Sequence, residues 1–561
     1  MALLFSCSLF CFGCVEHVPP PPSAIEVPDP TRGIVWISVD TLRADHLGVY
    51  GYDRDTSPHL DRLAQRGVVF DLAFAHSPST LISHMSAFTS LLPPEHGVKP
   101  PRWTVLSDEI PTLPESFRAA GFRTAGFTEG GYLEGDHGFA RGFEDWEDPG
   151  FQASTDVETT FERGLDFLRS MRDSGERFFL FLHTYSVHDP YEPPEALRHR
   201  FWDGSPPTDA PADATTLERV NAGAREISRR DAAYFASRYD DGIRYFDGVL
   251  GRFIEGMEAA GLSNQVTLVL MSDHGEEFLD HGRMLHTQVY PELLRIPLIV
   301  VHPDLIHRRV ERLASLVDLA PTLLDLAGLD VTSNLPAARG RSLLPDLAGQ
   351  PSRESGQSVY SEVEYIDSQR SLIGTANGEV WQLVERRPIG DPDGSWISRR
   401  VDLDVGSRRV GLRMASYRHP RALRIDWIGR KGAMHLEQRT LLPEWTEMEV
   451  RLPEGVERGR LRLSVDGCSV PKELGLGEDP RCLGFMLADP TPLRYDLLRL
   501  RVGEYGNLQV SGDLSRHPAS FDLLLDLKRQ LVSKTWHWLA RPASQALGDE
   551  ERRALEALGY L

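Results

Sequence analysis

Four short, almost wholly apolar runs punctuate the first 301 residues, at 34–39, 178–182, 266–271 and 297–301. Near-continuous apolarity over so few residues suits a strand buried on both faces, as in a parallel sheet, and poorly suits a half-exposed one. Helix signals lie between the runs. Ser57-Pro58 supplies an N-cap and a first-turn proline, and Gly67 closes that segment. Thr112-Leu113-Pro114-Glu115 is a capping box, with Gly121 as its stop. Strands alternating with helices predict an α/β layer fold, a mostly parallel sheet with helices on both faces.

The chain has 561 residues, long enough for several domains, with 41% hydrophobic and 25% charged residues, an ordinary globular composition. No apolar run reaches the roughly 18 residues that a spanning helix needs. The net charge of −21 argues against nucleic-acid binding driven by phosphate neutralisation, so no nucleic-acid partner is expected. Only five of the 61 basic residues are lysines: Lys99, Lys431, Lys472, Lys528 and Lys534. Through residue 430, any site that needs an ammonium group has Lys99 alone to draw on.

Residues 1–32 read as a separate segment. The apolar, cysteine-bearing start (Cys7, Cys11, Gly13-Cys14) runs into Pro19-Pro20-Pro21-Pro22 and then polar residues. It lacks the positive region of a secretory signal, since no Lys or Arg precedes Arg32. Its plan is that of the end of a lipoprotein signal with a tether, which predicts export, periplasmic or anchored to a membrane by an N-terminal lipid. In an exported chain, Cys468 and Cys482 are able to pair as a disulfide. From 387 to 492 the pattern changes to β-like alternation (Val410–Met414, Leu423–Trp427, Met448–Leu452, Leu461–Val465). Within it, residues 401–470 carry 13 Lys and Arg against 10 Asp and Glu, net +3 in an acidic protein. This stretch reads as a β-rich insert, a structural or interaction module or a glycan-binding one, dividing a catalytic domain (33–386) from its C-terminal part (493–561), where 521–561 is expected to be helical.

Chemistry gathers at the ends of the apolar runs, where ligands bind in open α/β sheets. Asp40-Thr41-Leu42-Arg43-Ala44-Asp45 follows the first run. His183 and His188-Asp189-Pro190-Tyr191 follow the second, and Asp273-His274-Gly275-Glu276, with His281 and His286, follows the third. A single Asp after a strand is ordinarily a helix cap. Three strands delivering carboxylates and imidazoles to one edge make a ligand set for Mn²⁺, Zn²⁺ or Ca²⁺. Ser79-Thr80-Leu81-Ile82-Ser83-His84 opens an apolar helix, where backbone N–H groups favour an anion. Thr80 or Ser83 there is either a cap or, beside a divalent cation, a nucleophile.

Together these motifs, with Gly48-Val49-Tyr50-Gly51, Pro94-Glu95-His96-Gly97, Leu316–Leu324 and Gly340-Arg341-Ser342-Leu343, resemble the sulfatase family of the alkaline phosphatase superfamily. Tyr495-Asp496-Leu497, Glu504, Asn507 and the closing Leu558-Gly559-Tyr560-Leu561 resemble its C-terminal part. The resemblance implies that Asp40, Asp273 and His274 hold a divalent metal, with Thr80 beside it as nucleophile. It also implies that His188 contacts substrate and protonates the leaving group, and that His286 contacts the anion. Arg43, Ser83 and His84 take support roles. The chain departs from the family in three places. Where sulfatases carry a Cys that becomes formylglycine, this sequence has Thr80, so no formylglycine is expected. Their second Asp at the first strand end is Thr41 here, and the position of their Lys after the strand near Thr124 is Glu129. A cationic cradle then falls to Arg43 or His286. The expected activity is metal-dependent hydrolysis of phosphate, phosphonate or sulfate esters by a Thr nucleophile, on a small-molecule or a glycan or lipid ester, with phosphorus favoured. The alternatives are a phosphoglycerol- or phosphoethanolamine-type transferase and a catalytically silent surface binding protein.

Overall fold

The computed structural model describes residues 30–99, 104–150 and 156–350, and the strands between 358 and 511 without most of their connecting turns. The cysteine-bearing start, Cys468, Cys482 and the segment 521–561 lie outside the described residues.

The first apolar run forms β1 (Gly33–Val39) at the centre of a large sheet. The next strands are β2 (Val68–Phe74), β3 (Arg123–Phe127), β4 (Asp145–Glu147), β5 (Phe178–Thr184) and β6 (Val266–Met271). After a short ribbon of β7 (Glu277–Phe278) and β8 (Met284–Leu285) come β9 (Arg295–Ile296), β10 (Leu298–Val301) and β11 (Arg308–Ser315). The sheet order is β11-β2-β10-β6-β1-β5-β3-β4, with β9 beside β2. β1 runs parallel to both β5 and β6, and Ser38 lies opposite His183 on one side and Met271 on the other. The residues that follow these strands therefore leave the sheet at one edge. β10 is antiparallel to β6 and β2, a direction that its uniform apolarity could not disclose.

Helices cover both faces. These are α1 (Pro58–Ala64), α2 (Thr80–Thr89), α3 (Pro93–His96), α4 (Leu113–Ala119), α5 (Val157–Ser174), α6 (Ala214–Asn221) and α7 (Arg229–Ala259). Alternate residues of β1 feed two cores: Ile34 and Trp36 pack with Phe88 of α2 and Phe117 of α4, whereas Val35 and Ile37 pack with Leu168 of α5 and Phe246 of α7. That two-sided burial explains why the run alternates so little. The capping box of α4 forms as expected, Thr112 N–H donating to Glu115 Oε2 at 2.9 Å. Ser57 occupies the N-cap of α1, but its hydroxyl ties Gly48 N–H (3.0 Å) to Asp61 (3.0 Å) instead of capping.

A second sheet contains β12 (Ser358–Glu364), β13 (Asp367–Ala376) and β14 (Glu379–Pro388). The chain leaves it at Pro388, forms two four-stranded sheets and returns at Arg494 as a strand (Arg494–Val502) paired with β14, Val384 opposite Asp496. In this additional β module, Leu423, Ile425, Leu461 and Leu463 of one sheet pack with Met448 and Val450 of the other, so two sheets share a core. Among the described residues, no helix is long and apolar enough to cross a membrane.

Candidate active site

β1 hands the chain directly to Asp40, whose N–H is held by the Thr184 carbonyl at 3.0 Å. Asp273 and His274 follow β6 after one residue, and Thr80 opens α2. The structure brings these four together in the buried interior. Thr80 Oγ1 donates to Asp40 Oδ2 at 3.0 Å, so the hydroxyl is not spent on capping its helix. Thr41, next to Asp40, sits in the left-handed region at φ 54°, unusual for a β-branched residue and the kind of strain that collects at functional sites. Its carbonyl accepts the Tyr239 hydroxyl at 2.7 Å, which fixes the bend.

The donor set tests whether a cation fits. Asp40 Oδ1, Asp273 Oδ2 and His274 Nε2 are buried without a hydrogen-bond partner. One ligand atom from each of the three residues lies within 4.8 Å of the others. His274 donates its Nδ1–H to the Gly275 carbonyl at 3.0 Å, which leaves the lone pair on Nε2 free to ligate. Burial, and then the neighbouring Asp40, pushes Asp273 up to about 7, and burial also raises Asp40. Two carboxylates and an imidazole stripped of water are stable when a cation completes them, so the residues fit a divalent metal. A second grouping, His84, His183 and Asp273, shares Asp273. His84 is spent there, through Nδ1 to the Thr80 carbonyl and Nε2 to Ser38 Oγ, both at 2.8 Å. It secures the first turn of α2, as Ser83 does by donating to the Ser77 carbonyl at 2.6 Å.

His188 and His286 line a cleft of about 910 Å³ that Thr80 also lines. Burial pulls the His188 pKa down, but the Asp189 carboxylate, 2.9 Å from Nδ1, outweighs it and holds the imidazole well above its ordinary range. His286 is raised in the same way, burial being overcome by Glu276, 3.5 Å from its Nδ1. Their rings stand 5.1 Å apart, and that of His286 is 4.7 Å from His274. The site thus has two imidazoles beside the cleft, each with a carboxylate near its Nδ1, and a floor that carries Asp40 and Asp273.

Arg43 does not serve as a cradle cation. It is bound to Asp45 (2.7 Å), Asp280 (3.2 Å) and the Glu276 carbonyl (2.9 Å), and it does not line the cleft. Of Arg43 and His286, the two cations expected to face an anion, His286 lines the cleft and Arg43 does not. His281 is held by Glu292 at 3.1 Å and stacks on Tyr290, so it stands in the frame. Three residues belong to the site without having been singled out for a role. His183, fully buried, has its Nε2 3.4 Å from Asp40 Oδ2, and its position at a strand end was the available signal. Glu276 and Asp189 raise the pKa of His286 and His188, and in the sequence they stand two residues after His274 and next to His188.

A family model described as sulfatase matches residues 32–329. An arylsulfatase of Clostridium perfringens is 24% identical over 382 residues, covering 56% of this chain and 78% of the relative. Among solved structures, a 2-O GAG sulfatase superposes with a TM-score of 0.51 at 21% identity, covering 64% of this chain and 83% of the other. A phosphonate monoester hydrolase of Agrobacterium radiobacter does so with a TM-score of 0.50 at 18% identity, covering 64% and 87%. With more than half of its length under the family model and a site built at the predicted sheet edge, the chain belongs to the sulfatase family.

Proposed function

We propose that the chain is a metal-dependent ester hydrolase in which Thr80 is the nucleophile and phosphate or phosphonate esters are preferred to sulfate esters. The observation that carries this reading is the Thr80 hydroxyl on Asp40, at the start of a helix and beside three unpartnered ligand atoms. Asp40, Asp273 and His274 would hold a divalent cation, which supplies positive charge to lower the pKa of an adjacent hydroxyl and to offset charge on ester oxygens. Thr80 Oγ1 gives up its proton along the bond to Asp40 and forms a bond to phosphorus, while the bond to the leaving oxygen breaks in line. His188, kept protonated by Asp189, delivers a proton to the departing alkoxide. His286 meets the remaining ester oxygens. Water then releases the Thr80 ester.

The fold alone admits both phosphorus and sulfur chemistry, as its neighbours do by name. Thr80 decides between them here. A threonine ester of sulfate has no second hydroxyl to expel it, and the cleft offers one lysine, Lys99. A panel of aryl sulfate, phosphate monoester, phosphodiester and phosphonate on purified protein with added Mn²⁺, Zn²⁺ or Ca²⁺ tests the choice. Phosphodiester or phosphonate turnover leads if the reading holds, and sulfate turnover clearly in the lead overturns it.

Export completes the proposal, supported by the cysteine-bearing start and its proline-rich spacer. Fractionation is expected to find the native protein on a membrane surface or outside the cytoplasm, and an unprocessed cytoplasmic Met1 contradicts this.

A further inference from the structure

His286 is held differently from the other histidines of the site. The rings of His274 and His84 are fixed by hydrogen bonds of 2.8 to 3.0 Å. His286 Nδ1 stands 3.5 Å from Glu276, longer than the roughly 3.2 Å limit of a well-formed N–H···O bond. The direction of its ring is therefore set largely by its backbone. His286 follows the ribbon of β7 and β8, in which Glu277 pairs with Leu285 and Phe278 with Met284. β8 is two residues long, and its second residue, Leu285, sits in the left-handed region at φ 65°. A leucine persists there only where its surroundings over-determine it. A two-stranded ribbon this short supplies little of that constraint.

The rest comes from α6. Asn221, its last residue, donates Nδ2–H to the Met284 carbonyl and accepts the Met284 N–H at Oδ1, both at 2.8 Å. One side-chain amide thus makes the pair of bonds that a residue of a third, antiparallel strand would make. Leu217 of α6 and Met284 are both fully buried in the same core. The other end of the helix reaches the other cleft histidine. Asp213 caps α6 through Thr216 N–H at 2.7 Å, and Ala214 N–H donates to the Asp189 carboxylate, which in turn stands 2.9 Å from His188 Nδ1. One helix therefore touches both segments that carry the cleft histidines, whose rings are 5.1 Å apart.

We propose that Asn221 is the positioning residue for His286, and that α6 is a brace that sets His286 against His188 across the cleft. The anion-binding role of His286 rests on the function proposed above, whereas the brace rests on the two hydrogen bonds of Asn221 and on the backbone of Leu285.

Two measurements on the full chain test it. The variant is Asn221→Asp, which keeps the acceptor for Met284 N–H and loses the donor to the Met284 carbonyl; Asn221→Ser replaces it if it does not fold. Labelling with diethyl pyrocarbonate is read on the tryptic peptide Met284–Arg295, in which His286 is the only histidine, and needs no activity. The variant is expected to label His286 several-fold faster than wild type while His59, on α1, labels at the wild-type rate. An unchanged rate at His286 overturns the proposal, and so does acceleration at both sites, which marks general loosening. Calorimetric binding of inorganic phosphate to the protein with added divalent metal gives the second readout. Asn221→Asp is expected to weaken it about tenfold, and to weaken it no further in a His286→Ala background. Equal weakening in that background means that Asn221 acts elsewhere and overturns the proposal. If wild type binds no phosphate, or His286→Ala binds it as tightly as wild type, the anion role given to His286 falls, and faster labelling of His286 alone still upholds the brace.

Discussion

The hydroxyl of Thr80 donates to the carboxylate of Asp40 at 3.0 Å, joining the first residue of a helix to the first residue beyond the central strand. The contact is not a by-product of capping: Asp40 Oδ1 has no hydrogen-bond partner, and the N-cap position of the helix is Ser79, whose side chain makes no cap. The pair places the hydroxyl on Asp40, whose ligand atom lies within 4.8 Å of those of Asp273 and His274, which β6 delivers.

Asp40→Ala and Asp273→Ala are each expected to lower bound metal and to abolish turnover. Removing one of three ligand residues at a buried site commonly costs much more than the 10–100-fold seen for outer partners of a ligand. Elemental analysis of the purified variants checks this, and unchanged stoichiometric metal in both contradicts the ligand set.

Gly275 follows His274 directly, and a Cβ there would overlap the Glu292 carbonyl oxygen and touch Arg43. Gly275→Ala is expected to cost about 1–3 kcal/mol of stability by overpacking. It should also weaken metal affinity, since the Gly275 carbonyl sets the tautomer of His274. Denaturant titration and metal competition measure the two effects separately.

His188→Gln is expected to slow alkyl esters by about 10²–10⁴-fold, the range for loss of a general acid. The same variant should slow 4-nitrophenyl esters far less, because that leaving group departs without a proton. Equal losses on both would assign His188 to binding instead.

The sequence disclosed the strands that build the site because each is buried on both faces and ends in a residue too polar to continue it, as β1 does at Asp40. Thr80 and Ser83 were undecided between cap and chemistry, since a hydroxyl near a helix start serves either and only its partner, Asp40 or the Ser77 carbonyl, separates the two. Arg43 looked available although Asp45 stands two residues on, because whether that neighbour engages it, and that Asp280, 237 residues away, joins it, is decided only by the fold. Glu129 was noted as an exchanged charge, but its burial, which pushes the carboxyl up to about 8 against hydrogen bonds from Thr184 and Tyr185, depends on how the end of β5 packs around it.

Burial, and then His76, lowers the pKa of His96 to about 3 from 6.5, and the ring is fixed by Val98 N–H on Nδ1 and by Ser86, each at 3.1 Å. The folded form keeps this histidine neutral, whereas the unfolded chain takes up a proton below its ordinary value. The stability His96 contributes is therefore present above about pH 6.5 and is lost as pH falls toward about 3. His96→Gln is expected to destabilise the protein at pH 7.5, and the gap to wild type should narrow by up to about tenfold in the folding constant per pH unit below 6.5. Denaturant midpoints across that range check the sign.

The role of Thr80 is tested most directly by the turnover of the best phosphorus ester by wild type, Thr80→Ser and Thr80→Ala, with the acid-quenched protein analysed by mass spectrometry. The account predicts a phosphorus adduct on the peptide that contains Thr80, retained activity in Thr80→Ser, and a loss on the order of a thousandfold or more in Thr80→Ala. A Thr80→Ala enzyme with near-normal turnover, or an adduct on another residue, would contradict it.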